Sequence, residues 1–391
     1  MSMYFIGIDI SKYKHDCCII SAADQKVVSK VTIKNNKAGF NELLTIIHSL
    51  ANPADIRIGF ESTAHYALNL ELFLENAHHS FMEVNPVLIK EYKKSTTLRR
   101  TKTDSVDCES IARWLITVEY KPHSKGFYHA YSLKSLTRLR DRLIRQRSFY
   151  LVKITNVLDH TFPEFKPFFH ERLSKTALYL LENYGSAEKM ARMNSASYDK
   201  LRCISRGKFS IQQFLRLKEL AANTVGVNNS IFDLELNTLL TLYKSLSDEI
   251  NTLETEIIKL IEEVHPHYMS IPGIGPISSA VIYAEYGDIS NFSNPGQMLA
   301  FAGIEPGIND SGTESHGGRM VKHGSSQLRY VLLNACLPLI RFDLTFATYY
   351  EKKRAEGKKH RVAITHVAKK LIRVIYALER QDVDFNAQKL R

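Results

Sequence analysis

Four acids and one serine stand where chemistry can be done. Asp9 lies near the carboxyl end of Tyr4–Ile10 (YFIGIDI), an apolar, β-branched run that reads as a buried central strand. An unpaired carboxylate in such a strand costs several kcal/mol or titrates to neutral, so something must compensate it. Capping of the strand end, or pairing with Lys12, is one answer; other acids sharing a site is another. Glu61 stands just past a second buried-looking run, Ile56–Phe60. Asp104 and Asp107 lie one turn apart at the start of a helix that Thr103 can cap. Acids there also complement the helix dipole, so a structural role is open to them too. Ser311 lies in a Gly- and Ser-rich stretch, NDSGTESHGGRMVKHGSS from Asn309, with His316, Arg319, Lys322 and His323. Nucleophile, proton-transfer group and phosphate clamp occur there together. The composition predicts a long loop, which inside a compact domain is functional or disordered.

The elements around the acids must bring them together. Tyr4–Ile10, Asp16–Ile20 and Lys26–Ile33 form an antiparallel meander. A helix over Ala38–Leu50, the strand Ile56–Phe60, a helix from Ser62–Thr63 to about Asn76, and the strand Phe81–Val84 follow. The result is an α/β mixed sheet on the plan of ribonuclease-H and resolvase-like folds, with strands one and four side by side. Asp9 and Glu61 then occupy adjacent strand ends. Val106, Ile111, Trp114 and Leu115 seat the helix Thr103–Thr117 on the sheet, and its first-turn acids can reach the other two.

The cations come next. Lys90, Lys93, Lys94, Arg99, Arg100 and Lys102 make a basic segment, either a mobile loop against phosphates or a solvated stretch. A long helix over Lys134–Lys153 carries Lys134, Arg138, Arg140, Arg142, Arg145, Arg147 and Lys153 against Asp141 alone, which favours a phosphate track. Pro163 and Pro167 break it, and 170–223 reads as several short helices without chemistry. Then Phe232, Leu236, Leu239, Tyr243, Leu246, Ile250, Leu253, Ile257, Leu260 and Val264 keep an a/d heptad register. That helix needs a partner, either the 131–161 helix in an internal hairpin or another copy of the chain. After Pro266, the segment SIPGIGPISSA resembles a helix-hairpin-helix. In that unit Gly273 and Gly275 let backbone N–H groups approach a phosphate, although an ordinary turn fits as well. Apolar helices over Gln327–Leu339, with Arg329, and around Val367–Ile375 close an all-α half. The organisation expected is 1–125 for the sheet domain, 126–265 for a helical coiled-coil domain, and 266–391 for a mostly helical carboxyl-terminal domain.

With 391 residues the chain needs more than one core. Its net charge of +11 points to a polyanionic partner. No apolar run approaches the roughly 18 residues of a membrane span, and no signal peptide is visible. Five cysteines without a CxxC pair exclude a disulfide framework and a zinc site, and fit a reducing cytoplasm.

GIDISK with Asp9, FEST with Glu61, and KTDSVD with Asp104 and Asp107 resemble the four acids of the DEDD transposases of bacterial insertion sequences. IPGIGPISSA, LAFAGIEP and SGTESHGGRMVKHGSSQLR resemble the second domain of the same group, the insertion-sequence family numbered one hundred and ten. Two departures are Cys108, where the family often has a small residue, and Ser325 after Gly324, where it often has Asn. The resemblance implies a RuvC-like domain whose acids bind Mg²⁺ or Mn²⁺, and a transposase domain whose serine, Ser311 here, attacks DNA. It also implies domains that meet across protomers of a dimer or tetramer, and a structured guide RNA from the element. A hard cation would neutralise four clustered carboxylates and stabilise attacking and leaving oxygens, and a weak serine nucleophile needs such help. One composite site, acids and metal on one side and Ser311 on the other, is the design expected. Arg319, Lys322 and Arg329 can bind phosphate oxygens. The competing readings are a RuvC-like nuclease that uses metal-activated water, with Ser311 structural, and a non-enzymatic nucleic-acid scaffold.

Overall fold

Alternation along the first strands sets the sheet of the amino-terminal unit. In the computed structural model, which describes residues 3–50, 55–61, 66–96, 104–122, 127–170, 173–311, 314–320, 322 and 324–390, β1 (Tyr4–Ile10), β2 (Lys14–Ser21) and β3 (Val27–Lys34) pair antiparallel. After helix α1 (Lys37–Leu50), β4 (Ile56–Glu61) lies parallel to β1, and after α2 (Leu68–Asn76), β5 (Phe81–Val84) lies parallel to β4. The order β3-β2-β1-β4-β5 is the mixed sheet expected from the sequence. Ile6, Ile8 and Ile10 with Ile58 and Phe60 face one way, into a core closed by Phe40, Leu43 and Ile47 of α1 and Leu70 and Leu74 of α2. Period-two side chains put the other residues of each strand on the opposite face.

That opposite face takes α4 (Asp104–Thr117), with α3 (Pro86–Thr96) beside it. Gly7 and Gly59 are register partners on β1 and β4. A Cβ on Gly7 would stand 2.3 Å from the Ala112 nitrogen and the Cys108 oxygen, and one on Gly59 would stand 2.8 Å from the Leu115 side chain. Two glycines side by side thus make a flat seat for a helix, a packing reason rather than a conformational one. Ile111, Trp114 and Leu115 then bury against Phe5. Helix α3 corrects the loop expected from residue 90: Lys90, Lys93 and Lys94 are helical. Arg99, Arg100 and Lys102 lie outside the described residues, as do 62–65 of the helix expected from Ser62.

The second unit, 129–391, is mostly helical. Its long helices are α5 (Phe127–Thr161) and α11 (Ser230–Val264), joined through α6 (Phe165–Phe168), α7 (Lys175–Tyr184), α8 (Ala187–Ala191), α9 (Ser195–Ile204) and α10 (Ile211–Ala222). The heptad helix is continuous and meets α5 within the chain at both ends. His160 stacks on Phe232 with ring centroids 5.9 Å apart, and Ile154, Val157 and Leu158 share a core with Leu236 and Leu240. At the other end Leu133 packs with Ile257 and Ile261, and Arg140 Nε donates to Glu254 at 2.7 Å. Helix α11 thus shares cores with α5 near both of its ends.

A second core follows, built from α12 (Pro276–Tyr286), α13 (Pro295–Ala302), α14 (Ser326–Phe342), α15 (Leu344–Ala355) and α16 (His360–Gln381). Between α13 and α14 the structure departs from the expected loop. Residues Pro306–Ser311 (β6) and Glu314–Met320 (β7) form an antiparallel hairpin. The Gly- and Ser-rich composition hid it. Among the described residues no single helix is long and apolar enough to cross a membrane.

Candidate functional site

The acids are placed by the sheet. Register pairing of β1 with β4 runs to Ile8 opposite Phe60, so Asp9 and Glu61 come next, side by side at the carboxyl ends of parallel strands. Both belong to the face of Gly7 and Gly59, the one that α4 covers, and both are half-buried. Cys108 and Ala112 rest on Gly7, with Leu115 farther on over Gly59. Helix α4 thus crosses from β1 to β4 on the face that carries the acids. The side chain of Asp104 lies outside the described residues. Asp107 is half-buried, and Lys93 Nζ of α3 donates to its Oδ1 at 2.8 Å.

Sequence reasoning missed two members of this neighbourhood. Asp16 of β2 is the register partner of Asp9 and shares its face; its Oδ1 accepts from Thr32 Oγ1, and Lys14 Nζ lies 3.2 Å from its Oδ2. Lys93, read from the sequence only as part of the basic segment, neutralises Asp107. The donor set is all hard oxygen, which suits Mg²⁺ or Mn²⁺ and not a soft metal. The Lys93 ammonium already stands where one acid calls for positive charge. Among the described residues no group of three or more His, Cys, Asp or Glu converges as a metal cage.

Cys108 follows Asp107 and is buried. Its hydrogen bond with Cys18, then burial, push its thiol well above the usual range. It fills the small-residue position as an inert apolar group. On the other face of the sheet, Glu71 of α2 is 2% exposed beside Glu83 of β5. Burial, then the hydrogen bond and charge of Glu83, raise Glu71 to about 9. Nothing in the sequence signals this pair, because the residues meet only through the fold.

Ser311 ends β6, opposite Glu314, and His316 pairs with Asn309. The side chains of the hairpin, Ser311 and Arg319 included, lie outside the described residues. Lys322 is exposed just beyond it, and His323 is outside the described residues. What anchors the hairpin's exit is clear. A Cβ on Gly324 would stand 2.1 Å from the Phe301 carbonyl oxygen, so the chain there lies directly on the end of α13. Ser325 N–H donates to the same carbonyl at 2.9 Å, and Ser325 Oγ accepts from Leu328 N–H at 3.2 Å, capping α14. Serine thus performs the capping that Asn performs equally well, which explains the departure at this position. Arg329 Nη1 donates to the Ala302 carbonyl at 3.2 Å. In this structure it ties α14 to the carboxyl end of α13.

The expected nucleic-acid contacts separate into kinds. Arg138 is committed elsewhere: Nε and Nη2 donate to Glu285 of α12 at 2.9 and 3.1 Å, and the Glu285 side chain is 2% exposed. Arg145 pairs with Asp141 at 2.8 Å, while Arg142 is exposed. Counting charges along one helix overlooked acids that α11 and α12 bring to it. Gly273 has φ +95°, and its Cβ would meet Pro338 and the Ala335 oxygen, so conformation and packing both require it. Gly275 differs. Its φ is −80°, and a Cβ there would meet nothing within 4 Å.

Comparison with known proteins identifies the chain. Residues 6–163 match the DEDD-type IS110 transposase family model, and residues 266–351 match the model described as Transposase IS116/IS110/IS902 family. A 42 kDa protein of insertion element IS900 from Mycobacterium paratuberculosis is 26% identical over 96% of this chain and 95% of its own length. The pilin gene-inverting protein of Moraxella bovis is 24% identical over 99% and 98%. The transposase for insertion sequence element IS1111A of Coxiella burnetii is 25% identical over 66% and 59%. With both family regions present in order around the acid-bearing sheet and the Ser311 hairpin, this chain belongs to the IS110 family of insertion-sequence transposases, enzymes that recombine DNA.

Proposed function

We propose that this transposase cuts and rejoins DNA through Asp9, Glu61, Asp104 and Asp107 as ligands of Mg²⁺ or Mn²⁺, and through Ser311 as nucleophile. Ser311 Oγ attacks the scissile phosphorus and loses its proton. An Oγ–P bond forms, the bond to one strand oxygen breaks, and that oxygen leaves with a proton. Attack by a strand hydroxyl on the phosphoserine reverses the step and releases the enzyme. A divalent cation on the acids would supply charge neutralisation at the phosphate. Arg319 and Lys322 would bind its non-bridging oxygens, and Gly273, Gly275 and Arg142 would contact backbone phosphates.

The observation that carries the acid half is the register placing Asp9 beside Glu61, under a helix that begins at Asp104. The serine half rests on the match of residues 266–351 to the family, within which Ser311 falls. The proposal includes a division of labour among 1–125, 126–265 and 266–391. It also includes assembly as a dimer or tetramer, a structured guide RNA from the element, and action in the bacterial cytoplasm on the nucleoid. Asp9→Asn tests the acid half: the fold should survive with Mn²⁺ affinity lowered and strand cleavage abolished. Cleavage by the variant at the wild-type rate, or undiminished activity in chelator, would remove the metal reading.

A further inference from the structure

The carboxyl-terminal helices carry a strong excess of positive charge. Between 351 and 373 nine Lys and Arg residues face two Glu, a net of seven, whereas the whole chain nets eleven. Helix α16 buries Ala363, Ile364, Val367, Ala368 and Leu371 in the core. Its outer side carries His366, Lys369 and Arg373, spaced i, i+3 and i+7, which makes them neighbours along one face. His366 and Lys369 are half-buried and Arg373 is exposed.

Other elements add charge to that face. Lys353 of α15 and Lys358 of the α15–α16 turn lie close enough to His366 to join burial and Lys369 in lowering its pKa, and Glu356 opposes them. Glu356 is already engaged by Lys353, whose Nζ donates to both carboxylate oxygens at 2.9 Å. Lys369 is held below its ordinary value by burial and then by Arg373, with Glu305 acting against them. Glu305 is the residue immediately before β6, so the cationic face runs from the α15–α16 turn to the base of the Ser311 hairpin. By contrast, Lys370 lies over the Phe346 and Tyr349 rings, at 5.3 and 5.2 Å from their centroids, and is committed to packing. Crowded like charges cost free energy in the unbound protein, and a polyanion relieves that cost.

We propose that Lys358, His366, Lys369 and Arg373 form a phosphate track for duplex DNA, leading along α16 to the hairpin that carries Ser311. From residue 366 to residue 373 the helix rises about 10 Å. A duplex presents about six phosphate charges over that length. The choice of DNA over RNA rests on the reading of Ser311 as the residue that attacks DNA; the anionic surface that the track fits does not.

The test uses the full-length protein and a short DNA duplex free of element sequence, with affinity measured by fluorescence anisotropy between about 50 and 200 mM salt. Lys358→Gln, Lys369→Gln and Arg373→Gln together should weaken binding at least about tenfold at low salt, and should flatten the slope of log affinity against log salt by about two to three. Lys369→Arg with Arg373→Lys should keep both. Lys358→Gln alone, in an exposed turn that tolerates the change, should flatten the slope by about one. Unchanged slopes in the triple and single variants overturn the track. A loss confined to an RNA hairpin probe, with duplex DNA bound normally, overturns the choice of DNA. The measurement requires no strand cleavage, so it fails separately from the serine reading. A Ser311→Ala protein that still recombines would remove that reading and leave a DNA-binding track standing.

Discussion

The two halves of the proposed site are held in opposite ways. Asp9 and Glu61 extend from central strands with side chains packed on both faces, and α4 is fitted to the sheet at backbone contact over Gly7 and Gly59. Ser311 ends one strand of a two-stranded ribbon whose exit is pinned at Gly324 and Ser325. A two-stranded ribbon has little stability of its own and borrows its position from what it is tied to. The acid site is therefore inherited from a core, and the serine site from an anchor. Damage to each should look different.

The largest contrast comes from two glycines. Gly7→Val forces a branched side chain into the backbone of α4, and should cost at least about 3 kcal/mol and lower the melting of the amino-terminal unit. Gly324→Val should cost less globally, about 1–2 kcal/mol, while abolishing recombination with Mn²⁺ binding intact. Calorimetry combined with metal titration separates these outcomes. Equal losses of stability would erase the distinction between core-built and anchor-built sites.

A smaller effect sharpens the same contrast within the serine-bearing unit. Arg138→Met leaves the Glu285 carboxylate buried without its partner, and should destabilise by about 3 kcal/mol in urea unfolding. Arg142→Met, at an exposed position, should stay within about 0.5 kcal/mol. If Arg138→Met is equally neutral, Arg138 is free for phosphate and the ion pair is incidental.

How much could be read in advance follows the same division. Strand alternation and buried β-branched runs are local signals, so the sheet order and the adjacency of Asp9 and Glu61 were legible. The apolar stripe of α4 was legible too, although the glycine seat beneath it was not, because it needs two strands in register. The hairpin was hidden because Gly and Ser dominate its composition while its backbone does the pairing. Arg138 and Glu285 are 147 residues apart, and Lys93 and Asp107 meet across two helices. No spacing rule along a single helix can reveal either pair.

An effect visible only as a pH dependence lies on the far face of the acid-bearing sheet. Glu71 has a folded pKa raised to about 9 from an ordinary 4.5. A carboxyl raised in this way contributes stability that is complete below about 4.5 and is lost as pH climbs toward 9. Glu71→Gln keeps a donor for Glu83 and removes the titration. The variant should match wild type near pH 4.5 and then gain on it by roughly 1.4 kcal/mol for each pH unit up to about pH 8. A stability difference that is flat with pH would show that burial does not hold Glu71 neutral.

The central claim is that Ser311 holds DNA covalently, and one measurement addresses it most directly. Wild-type and Ser311→Ala proteins are mixed with Mg²⁺, the element's DNA ends and its flanking transcript, denatured, and resolved for DNA attached to protein. The wild type should retain labelled DNA, and peptide mapping should place the phosphate on the segment containing Ser311. Ser311→Ala should bind DNA and Mn²⁺ as before, melt within about 0.5 kcal/mol of wild type, and give no adduct and no recombination. Recombination by Ser311→Ala at the wild-type rate, with no adduct in either protein, would contradict the account and leave a nuclease in which the acids activate water.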